Sequence, residues 1–213
     1  MSMAHTDDDG RTVARDRMVD RQIRARGIVD SRVLDACRKV PRHLFVPPRF
    51  QAEAYEDYPV SIGYRQTISQ PYIVAAMVEA LCLEPSSRVL EIGTGCGYQT
   101  AILAELVSSL HTVEIVPELA ALARERLTSL GWDRVRFRVG DGSEGWPEVG
   151  PFDGIIVSAA PQQVPEPLLD QLDMGGRCVI PVGSLNQELR RYRRVEEGLE
   201  VETLMAVRFV PLI

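Results

Sequence analysis

The residues best suited to chemistry are Glu91-Ile92-Gly93-Thr94-Gly95-Cys96-Gly97-Tyr98, set between an apolar run that reads as a strand and a stretch that reads as a helix. Glycines there permit a tight turn and close backbone approach to a ligand. In an open α/β sheet such a turn sits at the carboxyl end of the first strand, where ligand crevices form. The spacing is GxGxG: Tyr98 stands where the dinucleotide fingerprint has its third glycine, and Glu91 precedes the first. A pyrophosphate would be repelled by that carboxylate, whereas the sulfonium and amino group of S-adenosylmethionine would tolerate or attract it. Charge therefore favours a methyl donor over a dinucleotide.

Two further acids fall into register with this turn. Glu114 closes the second expected strand, about 20 residues on, where a carboxylate accepts both ribose hydroxyls. Asp141-Gly142 closes the third, placed to receive an adenine amino group. Either acid alone reads as a strand-end turn residue. Together with Glu91, Gly93, Thr94, Gly95 and Gly97 on consecutive strand ends, they read as one cofactor crevice.

What is missing also constrains the chemistry. There is no Ser/His/Asp set and no metal-ligand spacing, so no metal is expected; His43 reads as a structural loop residue and His111 as a structural strand residue. Ser69, just before Pro71, reads from the residues alone as a helix N-cap.

The elements that must hold these residues follow from periodicity and punctuation. Residues 1–11 are polar and expected to fray; a helix is predicted over 13–27, ended by Gly27, and a second is framed by Ser31 and Asp35 and stopped before Pro41. Residues 41–48 read as an extended Pro-rich connection and 63–70 as a polar loop, with Pro71 opening a helix over 72–83. Strands are predicted at 88–92, 110–115, 135–139, 152–157 and 177–181, with helices at 98–107, 117–130 and 165–171. Residues 188–195 and 201–210, around Glu197-Gly198, read as a terminal antiparallel hairpin.

The 213 residues are enough for one compact unit, divided here into an N-terminal helical extension with the active-site loop (1–84) and a methyltransferase domain (85–213). A net charge of -6 lacks the basic excess that phosphate contacts require, which argues against nucleic acid as a partner. The arginine clusters at 15–26 and 190–194 read as solvated faces. Cys37, Cys82, Cys96 and Cys178 are scattered without CxxC or disulfide-framework spacing. With no membrane-length apolar run and an acidic start at 6–10, the expectation is a cytoplasmic protein and no membrane partner. No heptad calls for an oligomer, so a monomer is expected.

The chain also resembles the protein-L-isoaspartate (D-aspartate) O-methyltransferases. The resemblance runs from Met18-Val-Asp-Arg-Gln-Ile through Val40-Pro-Arg-His-Leu-Phe-Val-Pro, Gln66-Thr-Ile-Ser-Gln-Pro, Val89-Leu-Glu-Ile-Gly-Thr-Gly, Gly140-Asp-Gly and Phe152-Asp-Gly-Ile-Ile-Val to Val207-Arg-Phe-Val-Pro-Leu. The Thr-Ile-Ser segment and the terminal Val-Pro-Leu are specific to that family. The resemblance implies a Rossmann-like class I S-adenosylmethionine-dependent methyltransferase fold, with a mostly parallel seven-stranded sheet, helices on both faces and a rearranged order among the last strands. It implies that Ser69 is the active-site hydroxyl beside the substrate carboxylate and that Gln66, Thr67 and Ile68 wall the cofactor. It implies too that Val210, Pro211 and Leu212 contact the substrate backbone, and that isoaspartyl proteins and peptides are the partners. S-adenosylhomocysteine would be the product left by the cofactor.

An ionised carboxylate needs no general base to attack a sulfonium methyl, so the missing base is consistent with this reaction. Two departures stand out. Tyr64-Arg65 replaces a small residue before Gln66, where Arg65 either attracts the substrate carboxylate or crowds the mouth of the site; Cys96 replaces a serine of similar size. Two other readings compete. A methyltransferase for a dedicated aspartate of a peptide natural product would carry an added segment, for which Ile213 leaves no room, and a non-catalytic module would have lost glycines or acids that are present here.

Overall fold

The structure, a computed structural model, describes residues 9–213. The expected fraying therefore lies, for residues 1–8, outside the described residues, as does most of the acidic start; residues 9–11 are already helical.

Helix α1 (Asp9–Met18) passes without a break into a π turn at Val19–Ile23 and a 3-10 turn at Arg24–Arg26, ended by Gly27 at φ 101°. The predicted stop holds, but the pitch changes before it, while Met18, Val19 and Ile23 stay fully buried. Helix α2 (Ser31–Lys39) is capped by Asp30, whose side chain accepts the Arg32 N–H, in place of the Ser31 and Asp35 frame expected. Residues 41–48 are not extended. Two 3-10 turns, Arg42–Phe45 and Pro48–Glu53, compact this segment and bury Arg42 and Phe45.

The expected polar loop is instead an antiparallel hairpin of β1 (Val60–Gly63) and β2 (Gln66–Ile68). Its two turn residues, Tyr64 at φ 52° and Arg65 at φ 60°, take the left-handed conformation that such tight turns need. Neither residue type signals that turn, which is why periodicity missed it. Helix α3 (Pro71–Ala80) follows, with Pro71 in its first turn.

From here strands and helices alternate: β3 (Arg88–Ile92), α4 (Tyr98–Leu106), β4 (Ser109–Glu114), α5 (Pro117–Ser129), β5 (Arg136–Val139), β6 (Phe152–Val157), α6 (Glu166–Asp170), β7 (Leu172–Gly183), β8 (Gln187–Val195) and β9 (Gly198–Val207). The seven-stranded sheet has the order β5-β4-β3-β6-β7-β8-β9. Its first five strands are parallel, and β8 and β9 complete it antiparallel. The last three strands lie side by side in chain order. Successive residues of the inner strands enter opposite faces: Val89, Ile156 and Val179 join a core with α2, α3 and α4, while Leu90, Ile155 and Cys178 join a smaller one around Phe152, Leu168 and Tyr192. Both faces are covered, as parallel strands require.

The larger core also takes in Met18, Ile23, Phe45, Val74 and Met77, so the N-terminal helices pack directly on the sheet domain. The 190–194 arginines find carboxylates: Arg191 pairs with Glu202 and Arg193 with Glu200, each with the residue opposite it on β9. Among the described residues no helix is long and apolar enough to cross a membrane.

Candidate active site

The carboxyl ends of β3, β4 and β6 open onto a cleft of about 750 Å³. The glycine loop after β3 forms its floor, with Gly93 and Gly95 facing the space. Gly97, at φ 90°, ends the loop, and a Cβ there would lie 3.0 Å from Leu127 Cδ1, so only glycine lets α4 start this close to α5. In the turn after β5, a Cβ on Gly142 would come within 2.3 Å of Ile92 Cγ2. At both positions glycine is required by the packing of the neighbouring side chains.

The three acids have three different settings. Glu114 lines the cleft; its Oε2 accepts the Gly95 N–H at 2.8 Å and its Oε1 the Val116 N–H at 3.0 Å. Asp141 is exposed and outside the lining: its Oδ1 accepts the Ser143 N–H at 2.8 Å and caps a short 3-10 turn, while Gly142 beside it does line the cleft.

Glu91 is fully buried beneath the loop and does not reach the cleft. Its carboxylate accepts hydrogen bonds from Thr100 (2.6 Å), Thr112 (2.8 Å) and Gln99 (3.0 Å). Burial pushes its pKa up to about 7, overriding those three donors, and the neighbouring Glu114 charge adds to the rise. Glu91 thus ties β3, β4 and α4 together instead of facing a ligand, contrary to the expectation of a carboxylate turned toward a cofactor sulfonium. Thr94 is likewise buried, with its hydroxyl 2.6 Å from that of Thr112. Gln99 passes the network on to Ser158 Oγ at 2.9 Å, and Ser158 does line the cleft.

The other wall comes from the β1–β2 hairpin and the start of α3. Gln66, Thr67 and Ser69 line the cleft, whereas Ile68 is turned into the core. Ser69 is not the N-cap of α3: Gln70 holds that position without a side-chain cap bond, and the Ser69 hydroxyl makes no hydrogen bond among the described residues. Its backbone carbonyl accepts from Arg42 Nη2 at 2.8 Å.

The chain closes the cleft with its last residues. Val210, Pro211 and Leu212 line it, held by a bridge to the segment after β6: the Ala160 N–H donates to Val210 O at 2.8 Å and the Leu212 N–H to Ala160 O at 3.0 Å. Gln187 fixes the segment by accepting from the Phe209 N–H and donating to the Phe209 carbonyl.

Ten of the fifteen expected positions thus share one cleft, and Ile68, Glu91, Thr94, Gly97 and Asp141 support it from outside the lining. Sequence reasoning missed Ser158, Ile115 and Tyr72 in the lining, and the buried Arg42 that bonds the Ser69 carbonyl from behind it. Ser158 follows β6 and was open to the same strand-end rule that found the acids. Arg42 carried no signal, since arginine is rarely buried. His43 bonds Tyr55 Oη at 2.7 Å, and His111 packs edge-on against Trp146 and Phe152, so both are structural.

Comparison with known proteins matches residues 13–213 to the family described as Protein-L-isoaspartate(D-aspartate) O-methyltransferase (PCMT). A protein-L-isoaspartate O-methyltransferase of Picosynechococcus is 57% identical over 94% of this chain and 91% of its own length. Among solved structures, a protein-L-isoaspartate O-methyltransferase superposes with a TM-score of 0.82 at 30% identity, over 92% of this chain and 65% of that one. A Plasmodium falciparum β-aspartate methyltransferase in complex with S-adenosyl-L-homocysteine also gives 0.82, at 26% identity, over 93% and 98%. The cleft, its glycine loop and the sheet that carries them are thus those of a methyltransferase, and the chain belongs to the protein-L-isoaspartate (D-aspartate) O-methyltransferase family.

Proposed function

We propose that this chain repairs damaged proteins by transferring a methyl group from S-adenosylmethionine to the free α-carboxylate of L-isoaspartyl residues, and of D-aspartyl residues where these fit. The observation that carries the reading is the meeting, in one cleft, of Glu114 and the glycine loop with Ser69 and the Val210-Pro211-Leu212 segment. The glycine-lined cleft, where a Cβ at Gly142 would collide with Ile92, and the Glu114 carboxylate suit a cofactor with a ribose and no phosphate. When bound, that cofactor supplies an electrophilic methyl on a cationic sulfur.

The roles then divide along the cleft. Glu114 holds the ribose hydroxyls, Gly93, Gly95 and Gly142 shape the donor end, and Asp141 and Thr94 brace its rim and floor. Gln66 and Thr67 wall the space between donor and acceptor, backed by Ile68. Ser69 donates its free hydroxyl to one oxygen of the acceptor carboxylate, and Val210, Pro211 and Leu212 take the substrate backbone. The carboxylate is already ionised at neutral pH, so no side chain needs to remove a proton. Catalysis rests on alignment and on exclusion of water. Residues 1–84 act as the acceptor-side extension of the 85–213 methyltransferase domain, and a single chain supplies every residue given a role.

A methyl ester formed this way is attacked by the following backbone nitrogen, releases methanol and gives a succinimide that opens partly to normal aspartate. Incubating an isoaspartyl peptide with the chain and S-adenosylmethionine should therefore convert it, over successive rounds, to its aspartyl form, read by chromatographic separation of the two. A peptide that stays fully isoaspartyl while controls without the chain behave identically would remove the repair reading.

A further inference from the structure

Among the described residues, Arg42 is a buried cation without an anion. It is 0% exposed, in the 3-10 turn Arg42–Phe45. Burial drives its pKa down, yet a guanidinium keeps its proton inside a protein. Burying such a charge costs several kcal/mol unless an anion compensates it. Its surroundings offer only neutral groups: the Ala54 carbonyl at 2.6 Å from Nε, the Ser69 carbonyl at 2.8 Å from Nη2, and the Tyr98 ring, whose centre is 4.8 Å away. Nη1 has no hydrogen-bond acceptor within reach among the described residues. The thiols of Cys37 and Cys96 and the Tyr98 phenol, the ionisable groups that influence Arg42, are all pushed upward by burial and stay protonated.

The position of this charge is informative. The peptide group that Arg42 holds joins Ser69 to Gln70, the N-cap of α3, and Ser69, Gln70, Tyr72 and Ile73 all line the cleft. A ten-residue helix thus starts at the acceptor wall, and its N-terminal partial charge has the same sign as the guanidinium behind it. A hydrogen bond from a cation to the Ser69 carbonyl also polarises that peptide and strengthens its N–H as a donor.

We infer that Arg42 is a positioning residue for the acceptor: acting through the Ser69 carbonyl and the start of α3, it makes this wall of the cleft positive, and the counter-ion it lacks is the substrate's reacting carboxylate. The assignment rests on the repair reading above. It also accounts for the indirect arrangement. A guanidinium bonded straight to the attacking oxygen would hold back its lone pair, whereas one standing behind a carbonyl attracts the carboxylate and leaves that oxygen free to attack. Because the carboxylate loses its charge as the methyl arrives, the effect belongs to acceptor binding more than to the chemical step.

The test compares binding of two peptides, in the presence of S-adenosylhomocysteine so that nothing reacts: an isoaspartyl peptide and its twin whose α-carboxylate is a carboxamide. The wild-type chain should prefer the carboxylate form. Arg42→Met should reduce that preference by about tenfold or more, because it removes the charge that favours one twin over the other. Arg42→Lys should keep most of it, since the charge survives while the planar fork is lost. Cofactor-product affinity, within about twofold of wild type, certifies the fold in each variant. If Arg42→Met does not fold, Arg42→Gln carries the same comparison, since it can still donate to Ser69. Equal losses for both twins, with the preference unchanged, would make Arg42 a structural tie and overturn the assignment. A wild-type chain that binds neither twin would overturn the repair reading itself.

Discussion

Glu114 Oε2 accepts the backbone N–H of Gly95 at 2.8 Å, so the carboxylate that ends β4 fixes the glycine loop that follows β3. One side chain thereby sets the loop's shape and leaves its remaining lone pairs for a ligand hydroxyl.

Replacing Glu114 by Gln keeps the volume and removes the charge. Bonds to charged acceptors contribute about 1.5–3 kcal/mol, so S-adenosylhomocysteine affinity should fall roughly 10- to 100-fold. Calorimetric titration reads this directly, and unchanged affinity would place the ribose elsewhere.

Ser69→Ala tests the acceptor end. Loss of a hydroxyl donor to a carboxylate should lower kcat/KM for an isoaspartyl peptide by about tenfold or more while cofactor-product binding holds. The hydroxyl has no other partner among the described residues, so folding should be untouched. Full activity in the variant would show that Ser69 neither orients nor binds the acceptor.

Glu91 predicts a pH dependence of stability. Its carboxyl ordinarily titrates near 4.5 and here near 7. Below about pH 4.5 it is protonated in both folded and unfolded chains, and its burial carries no ionisation penalty. Between about 4.5 and 7 the unfolded chain releases the proton that the folded chain keeps, so the fold loses stability as pH rises; above 7 the loss is complete. Glu91→Gln removes this dependence. Denaturant titrations at pH 4.5 and 7.5 should show the variant gaining about 3 kcal/mol on wild type across that interval. A constant difference would mean that Glu91 does not titrate there.

The alternation of short apolar runs with helical stretches made the sheet domain legible, because parallel strands buried on both faces leave continuous hydrophobic runs such as Phe152–Val157. The glycine loop and Glu114 were legible for the same reason: strand ends mark the crevice. The β1–β2 hairpin was not, since Tyr64 and Arg65 adopt positive φ without the Asn or Gly that announces it. The prolines of residues 41–48 suggest extension, whereas burial of Arg42 and Phe45 compacts the segment into turns. For Glu91, motif position places a carboxylate before the first glycine, and only the packing of Thr100 and Thr112 around it turns it inward, away from the cleft.

Methyl transfer to a misplaced backbone carboxylate is measured by supplying methyl-labelled S-adenosylmethionine with an isoaspartyl peptide and with its normal aspartyl twin. Base-labile label is expected on the isoaspartyl peptide alone. Label on neither, with cofactor binding intact, or equal label on both would contradict it.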